Sequence, residues 1–416
     1  MSRLLSGYGI CSQLGFLSSE APATAFANQY YAEWDSIAAQ LPSLLKSQNL
    51  AAHIERLPLL STSYLEHELQ YRRAYVVLGF LIHGHVWGNS ASGPCERVPP
   101  QLGEPFLEVC QELGVSPVLS YSGLVLWNWK VTGAPYANYG KFPDLPNLTS
   151  LVSFTGTRGE DAFYHVPVLV EAEGGPLIPL LLQAVAAVET NDIAFVRSAL
   201  ETTAKILNDM GAHLPKLYAV LDADMFYHQL RPFLPGGKGM EEKGLPRGIV
   251  FQKSDGSEVE VKCIGGSAAQ SSLFPFLDHV LGVEHQEAQS RESVFKEMSS
   301  YMPGRHREFL DAVRKHPSLR SFVEKQDQDA AVRVAYNDCM TKLRLWRGKH
   351  IAVVSKYIVQ PARAASAAAT AASGSNLNDE FQSPAGEELQ GTGGSSLIPF
   401  LKQARDETVG LPLDRK

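Results

Sequence analysis

The sequence predicts an all-α fold, and three observations carry that prediction. Apolar residues recur at three- and four-residue steps through several long stretches. The alternation of β-branched residues that marks strands is scarce. Within residues 327–359, Val332, Tyr336, Cys339, Leu343, Trp346, His350, Val353 and Tyr357 follow one another at steps of four, three, four, three, four, three and four, so all eight share one helix face.

The elements follow in order. Residues 63–87 read as a helix opened by a capping box, Ser63 with Glu66 three residues on. A Pro-Pro turn leads into a helix at 102–113, and another is predicted at 120–130. Gly, Pro and Asn then crowd 132–147 and end helical structure, which places a boundary near residue 150. The chain divides into a small N-terminal helical domain, 1–150, and a larger helical domain, 151–416. In the second, helices are predicted at 177–188, at 192–211 with Asn191 as cap, and at 214–233. GIVFQ and EVEVK within 235–259 suggest one small hairpin. Pro361 is expected to stop the long helix, because it cannot donate the next backbone bond. Residues 361–390, poor in large apolar groups, are read as a flexible loop. GTGGSS at 391–396 leads from it to a last helix at 397–404.

A chain of 416 residues can bury a sizeable core unaided. Its 37 Lys and Arg against 44 Asp and Glu leave a net charge of −7, which speaks against nucleic acid as a partner. Cys11, Cys95, Cys110, Cys263 and Cys339 are odd in number, widely spaced and without a C-x-x-C pair, so neither a disulfide scaffold nor a thiolate zinc site is expected. The apolar runs at 75–82 and 176–188 are shorter than the ~18 residues of a membrane span. Small and polar residues interrupt the N-terminal leucines, which does not suit a signal peptide. The expected compartment is the cytoplasm.

Several residues invite chemistry. A neutral imidazole at His350, between Trp346 and Val353 on a buried stripe, can coordinate a metal or a heme iron. It can equally be a core histidine satisfied by a hydrogen bond, and periodicity alone favours that plainer reading. His53/Glu55, His285/Glu287 and His306/Glu308 have the His-x-Glu spacing of some iron sites, but they lie in polar segments that read as solvated faces. HExxH, a Walker A loop and a nucleophile elbow are all absent. Phe226 and Leu230 lie one turn apart with Arg231 beside them, an arrangement suited to a ligand with an apolar body and a carboxylate. After Ile264, the run Gly265–Ser272 has no bulky side chain, so backbone can approach a flat ligand.

Taken together these pieces resemble the indoleamine 2,3-dioxygenase family. The resemblance runs through Val86-Trp-Gly88, Asn128-Trp-Lys130, Phe154-Thr-Gly156, Phe163-Tyr164, Phe226 to Arg231, GGSAAQSS at 265–272, Tyr301-Met-Pro303, His306-Arg307, the His350 helix and GTGG at 391–394. It implies a helical domain that encloses heme b, with His350 as the ligand of the iron and Asp278 and Arg347 as the charged pair behind it. It further implies that Phe163 and Phe226 hold an indole, with Tyr121 deeper in the pocket and Leu124 narrowing it. Arg231 would pair with the substrate carboxylate. Gly266, Ser267 and Ala268 would pass close to the heme edge and the substrate ammonium, and Thr392 would make a closing contact.

The implied reaction inserts both atoms of dioxygen across the indole C2=C3 bond of L-tryptophan to give N-formylkynurenine. It would proceed in a monomer that needs an electron donor to keep iron ferrous. One departure stands out: Pro167 replaces the serine usual in this family, removing both a hydroxyl and an N–H. That change motivates two alternatives, a heme-binding sensor with little turnover and a dioxygenase of another indole.

Overall fold

The computed structural model describes residues 2–18, 20–89, 93–133, 142–285, 292–326, 329–372 and 397–411. Its frame is helical. Ala32–Lys46, Glu68–Trp87 and Pro100–Leu113 pack together before residue 150, and Arg158–Gly174, Leu177–Glu189, Ile193–His213, Leu273–Leu281, Gly304–Val313, Ala330–Val354, Gln360–Ala372 and Leu397–Asp406 follow it.

The Ala330–Val354 helix starts where the Asp329 carboxylate accepts the Ala331 and Val332 amides at 3.0 and 3.2 Å. Along the stripe, Val332, Tyr336, Cys339, Leu343, Trp346 and Tyr357 are buried. The helix lies against Ile193–His213, itself capped by Asp192 through the Phe195 amide at 3.0 Å. Asn191, the expected cap, instead takes a left-handed φ of 52° one residue earlier.

Among the described residues five short strands decorate the helices: β1 Arg97–Val98, β2 Lys130–Val131, β3 Leu148–Thr149, β4 Ile249–Gln252 and β5 Glu258–Val261. The expected hairpin forms between β4 and β5, antiparallel, with Ile249 opposite Val261. Its outer edge is covered by β1, parallel to β4 with Arg97 opposite Val250. Residues from both sides of position 150 therefore share one sheet, and one continuous cluster of buried side chains runs through both.

Several boundaries differ from expectation, each for a local reason. Ser63 does not open the 63–87 helix. Ser61 caps a single 3₁₀ turn, Thr62–Tyr64, by accepting the Ser63 amide, and the long helix begins at Glu68. The stretch 120–130 makes only one π-helical turn, Ser122–Leu126, because Asn128 then bonds both the amide and the carbonyl of Val152, each at 2.9 Å, and draws the chain across to β3. The predicted 214–233 helix is broken into short turns by Pro215, by Pro232 and by Asp222, whose carboxylate restarts the chain at the Met225 amide, 2.8 Å away.

Pro361 does not end the His350 helix. A π-helical turn at Ser355–Val359 carries the Gln360 amide back to the Ser355 carbonyl, and helical structure resumes from Gln360 to Ala372. The missing N–H of Pro361 thus falls at the start of a new helical segment, where it is tolerated. Residues 361–372, expected as part of a loop, are helical; the rest of that stretch lies outside the described residues.

Arg158–Gly174 and Leu177–Glu189, taken as one stretch, have the length and hydropathy of a membrane span, which the apolar runs read separately do not. In the fold 61% of the qualifying window is buried, so its apolar faces are used in the core.

Candidate functional site

Segments from across the chain converge on one cavity of about 210 Å³. A lone buried water needs only about 10–15 Å³ on such a measure, so this space is shaped for an organic group. The π-turn after Ser120 brings Tyr121, Leu124 and Val125. Arg158–Gly174 contributes Phe163, Val166, Pro167 and Val170, and the broken segment after His213 contributes Leu217, Leu221, Phe226 and Arg231. The small-residue run brings Gly266, Ser267, Ala268 and Ser271. Trp346, His350, Val353 and Tyr357 come from the long helix, and Phe400 and Leu401 from Leu397–Asp406. Ten residues expected at the site, Tyr121, Leu124, Phe163, Pro167, Phe226, Arg231, Gly266, Ser267, Ala268 and His350, therefore line a single space.

His350 faces the cavity from a stack of rings. Trp346 lies nearly parallel to it, 5.6 Å between centroids at 13°, and Phe274 packs on Trp346 at 4.1 Å. Burial pushes the imidazole down to about 4, so it is neutral and its lone pair is available. Neither ring nitrogen has a hydrogen-bond partner among the described residues, so this is not the satisfied core histidine that periodicity favoured.

Asp278 and Arg347 lie behind the cavity. Arg347 donates to Asp278 Oδ1 at 2.5 Å, to the Ala404 carbonyl at 2.8 Å and to the Thr408 hydroxyl. His285 bridges Asp278 (3.1 Å) and Glu407 (2.7 Å). Burial opposes the charge of Asp278, but Arg347 and His285 outweigh it and hold the carboxyl below its usual range. The network pins Leu397–Asp406 and the segment after it to the helix that carries His350.

The Arg158–Gly174 wall is built differently. Phe163 and Phe226 meet at 4.8 Å and 46°, and Tyr357 closes on Phe226 edge-on at 6.0 Å. Arg231 lies 5.1 Å over the Tyr227 ring, and burial lowers its pKa from the ordinary arginine value. Pro167 sits inside the helix without an N–H, so the Phe163 carbonyl loses its i+4 donor. His165 offers no substitute. It faces Ser150 at 3.4 Å, away from the lining, as residues two apart on a helix must.

Two expectations are refined. Gly265 is the position that demands glycine for packing, since a Cβ there would stand 1.9 Å from the Leu234 carbonyl; at Gly266 the clash is with the flexible end of Leu124, 2.3 Å away. Ser267 also serves its own turn, accepting the Ala269 amide while Gln270 accepts the Ser267 amide. Thr392 lies outside the described residues. The His-x-Glu segments are not uniformly solvated: His306 is buried against Phe16, with Ser272 3.4 Å from its ring, although it takes no part in the cavity. Sequence reading missed Glu171, a buried carboxyl whose oxygen accepts the hydroxyls of Tyr121 (3.0 Å) and Ser271 (2.6 Å). The signal was present as a lone acid inside the apolar run VPVLVEA.

The donor set narrows what the cavity can hold. Among the described residues no group of three His, Cys, Asp or Glu side chains is placed to hold a metal ion, so the cavity offers a metal the one imidazole of His350. A single neutral imidazole over an apolar space fits a metal that brings its other ligands in a flat macrocycle, as heme does. Fold and site together define a helical protein with an apolar cavity that carries one neutral imidazole.

Comparison with known proteins makes the class specific. Residues 4–410 match the indoleamine 2,3-dioxygenase family. The chain is 37% identical over 402 residues to a 6-hydroxytryptophan 2,3-dioxygenase of Fusarium equiseti, covering 97% of this chain and 96% of that one. It is 35% identical to an indoleamine 2,3-dioxygenase of Saccharomyces cerevisiae (98% and 93% covered) and 33% identical to human indoleamine 2,3-dioxygenase 2 (97% and 94%). The chain belongs to the indoleamine 2,3-dioxygenase family and is an oxidoreductase of the dioxygenase type.

Proposed function

We propose that this protein binds heme b through His350 and inserts both atoms of dioxygen across the C2=C3 bond of L-tryptophan, giving N-formylkynurenine. The observation that carries the proposal is the imidazole itself: neutral, unpaired among the described residues and turned into an apolar cavity at the end of a helix held by buried charge. When bound, heme supplies the dioxygen chemistry; the protein supplies orientation and exclusion of water.

Phe163 and Phe226 hold the indole by its faces, and the Arg231 fork takes the carboxylate. Gly266, Ser267 and Ala268 give the amino acid backbone room. Pro167 offers no hydrogen bond, so placement of the ring rests on shape and on the remaining polar groups of the wall. The enzyme works as a cytoplasmic monomer supplied with electrons by a separate donor.

The test is the absorption spectrum of purified protein, reconstituted with hemin, with and without dithionite and tryptophan, followed by assay for N-formylkynurenine. A colourless product after reconstitution removes the cofactor assignment. A ferrous spectrum that answers dioxygen while tryptophan is neither bound nor consumed turns the reading to the sensor that Pro167 suggests.

A further inference from the structure

Glu171 does not line the cavity, yet it decides what two lining residues can offer. It lies one helical turn beyond Pro167, fully within the core, and its Oε1 accepts hydrogen bonds from Tyr121 and Ser271, which both face the cavity. Its Oε2 is buried with no partner among the described residues. Burial raises the carboxyl to about 7, yet in either protonation state Oε1 remains an acceptor for both hydroxyls, because a proton can reside on Oε2.

A hydroxyl whose proton is committed elsewhere can only accept. The Ser271 oxygen already receives the Leu273 amide at 3.3 Å. The Tyr121 oxygen has the Ser271 hydroxyl beside it, but the Ser271 proton goes to Glu171, and burial raises the Tyr121 pKa well above the ordinary tyrosine value, so it stays a phenol whose oxygen can accept. In a lining otherwise dominated by apolar side chains, this is a fixed acceptor on the wall where Pro167 offers neither a hydroxyl nor an N–H.

We propose that Glu171 is a specificity-determining positioning residue: by fixing the Tyr121 and Ser271 protons it turns the phenol oxygen into an acceptor that selects ligands carrying an N–H or O–H donor on the aromatic ring. The inference rests on the proposed function, since it assumes an indole in the cavity. It supplies what Pro167 cannot. Two sources of the donor are open to it, the indole N–H itself and a ring hydroxyl such as that of 6-hydroxytryptophan.

The experiment is calorimetric binding to the hemin-loaded protein of L-tryptophan, its isosteric benzothiophene analogue without a ring N–H, and 6-hydroxytryptophan. The wild type should prefer a donor-bearing ring to the benzothiophene by about tenfold, the upper range for one neutral hydrogen bond. Glu171→Met frees both hydroxyls to rotate and should bring that ratio near one. Glu171→Gln keeps a carbonyl acceptor and should preserve it, and Tyr121→Phe should abolish it without touching the carboxyl.

A gain for 6-hydroxytryptophan that Glu171→Met removes assigns the acceptor to the ring hydroxyl; a loss confined to the benzothiophene assigns it to the indole N–H. Either supports the proposal. An unchanged ratio in Glu171→Met with normal heme content overturns it and leaves the proposed function standing, whereas failure of every indole to bind overturns both.

Discussion

The cavity has two kinds of wall, and the contrast between them shows two ways of holding the lining of one space. Around His350 the structure is held by charge: Arg347 reaches Asp278, Ala404 and Thr408, and His285 joins Asp278 to Glu407. Around Pro167 it is held by shape, with Phe163, Phe226 and Tyr357 in contact and a single buried carboxyl behind them. Charge-assisted bonds fix an orientation, which a metal-binding imidazole requires. Apolar surfaces place a ring without consuming its polar groups, which a substrate awaiting oxidation requires.

The largest expected effect lies on the charged side. His350→Ala should leave a folded protein that no longer retains heme through gel filtration after hemin loading; an unchanged spectrum would remove the residue from that role. Arg347→Ala leaves Asp278 buried without its cation and should lower stability by about 3 kcal/mol or more, read from the urea midpoint. If both walls were held by shape alone, that loss would shrink to the value of a surface substitution.

On the other wall, Arg231→Leu should raise KM for tryptophan roughly tenfold to a hundredfold, the range for a hydrogen bond to a charged group. KM for tryptamine, which lacks the carboxylate, should hardly change. Equal effects on both would move Arg231 out of the binding role and into packing.

The smallest effect is a pH dependence of the charged wall. Burial works against the charge on His285, but hydrogen bonds to Asp278 and Glu407 overcome it and raise the pKa above the ordinary histidine value. A raised histidine stabilises the fold fully below about pH 6.5 and loses that contribution as pH climbs through its folded value. Asp278, held below its usual range, has the reverse dependence and loses its contribution only in acid. Protease sensitivity of Leu397–Asp406 should therefore increase from neutral to alkaline pH, and His285→Gln should flatten the profile.

Helical spacing put His350 on a buried stripe, because each residue there lies three or four positions from the last, but it favoured a plain core histidine, and the family resemblance supplied the ligand reading. Phe226 and Arg231 were legible for a related reason, being neighbours in sequence, whereas Phe163, far from them along the chain, was legible only through the family resemblance. What sequence left dark were features that depend on which turn a chain takes. The break-up of 214–233 follows from Asp222 and two prolines acting together, and the arrest of the helix after Leu126 depends on Asn128 meeting Val152, distant in sequence. Glu171 was invisible because one acid in an apolar run looks like a surface interruption until its partners, fifty residues before it and a hundred after, are in place. Phe400 and Leu401 reach the cavity only through the ion network that fixes the C-terminal helix.

The wide turn at Ser355–Val359 has a bearing on how this helix can evolve. Bonding to the fifth residue rather than the fourth uses one amino acid more than a regular turn, so the chain carries a surplus residue just past its most important side chain. Deleting one residue there would restore the ordinary pitch and leave the helix downstream at nearly its present angle, because five residues of a wide turn sweep about as far as four of a regular one. Lineages that shorten this segment would keep His350 where it is and redraw the part of the chamber now formed by Tyr357 and Ile358.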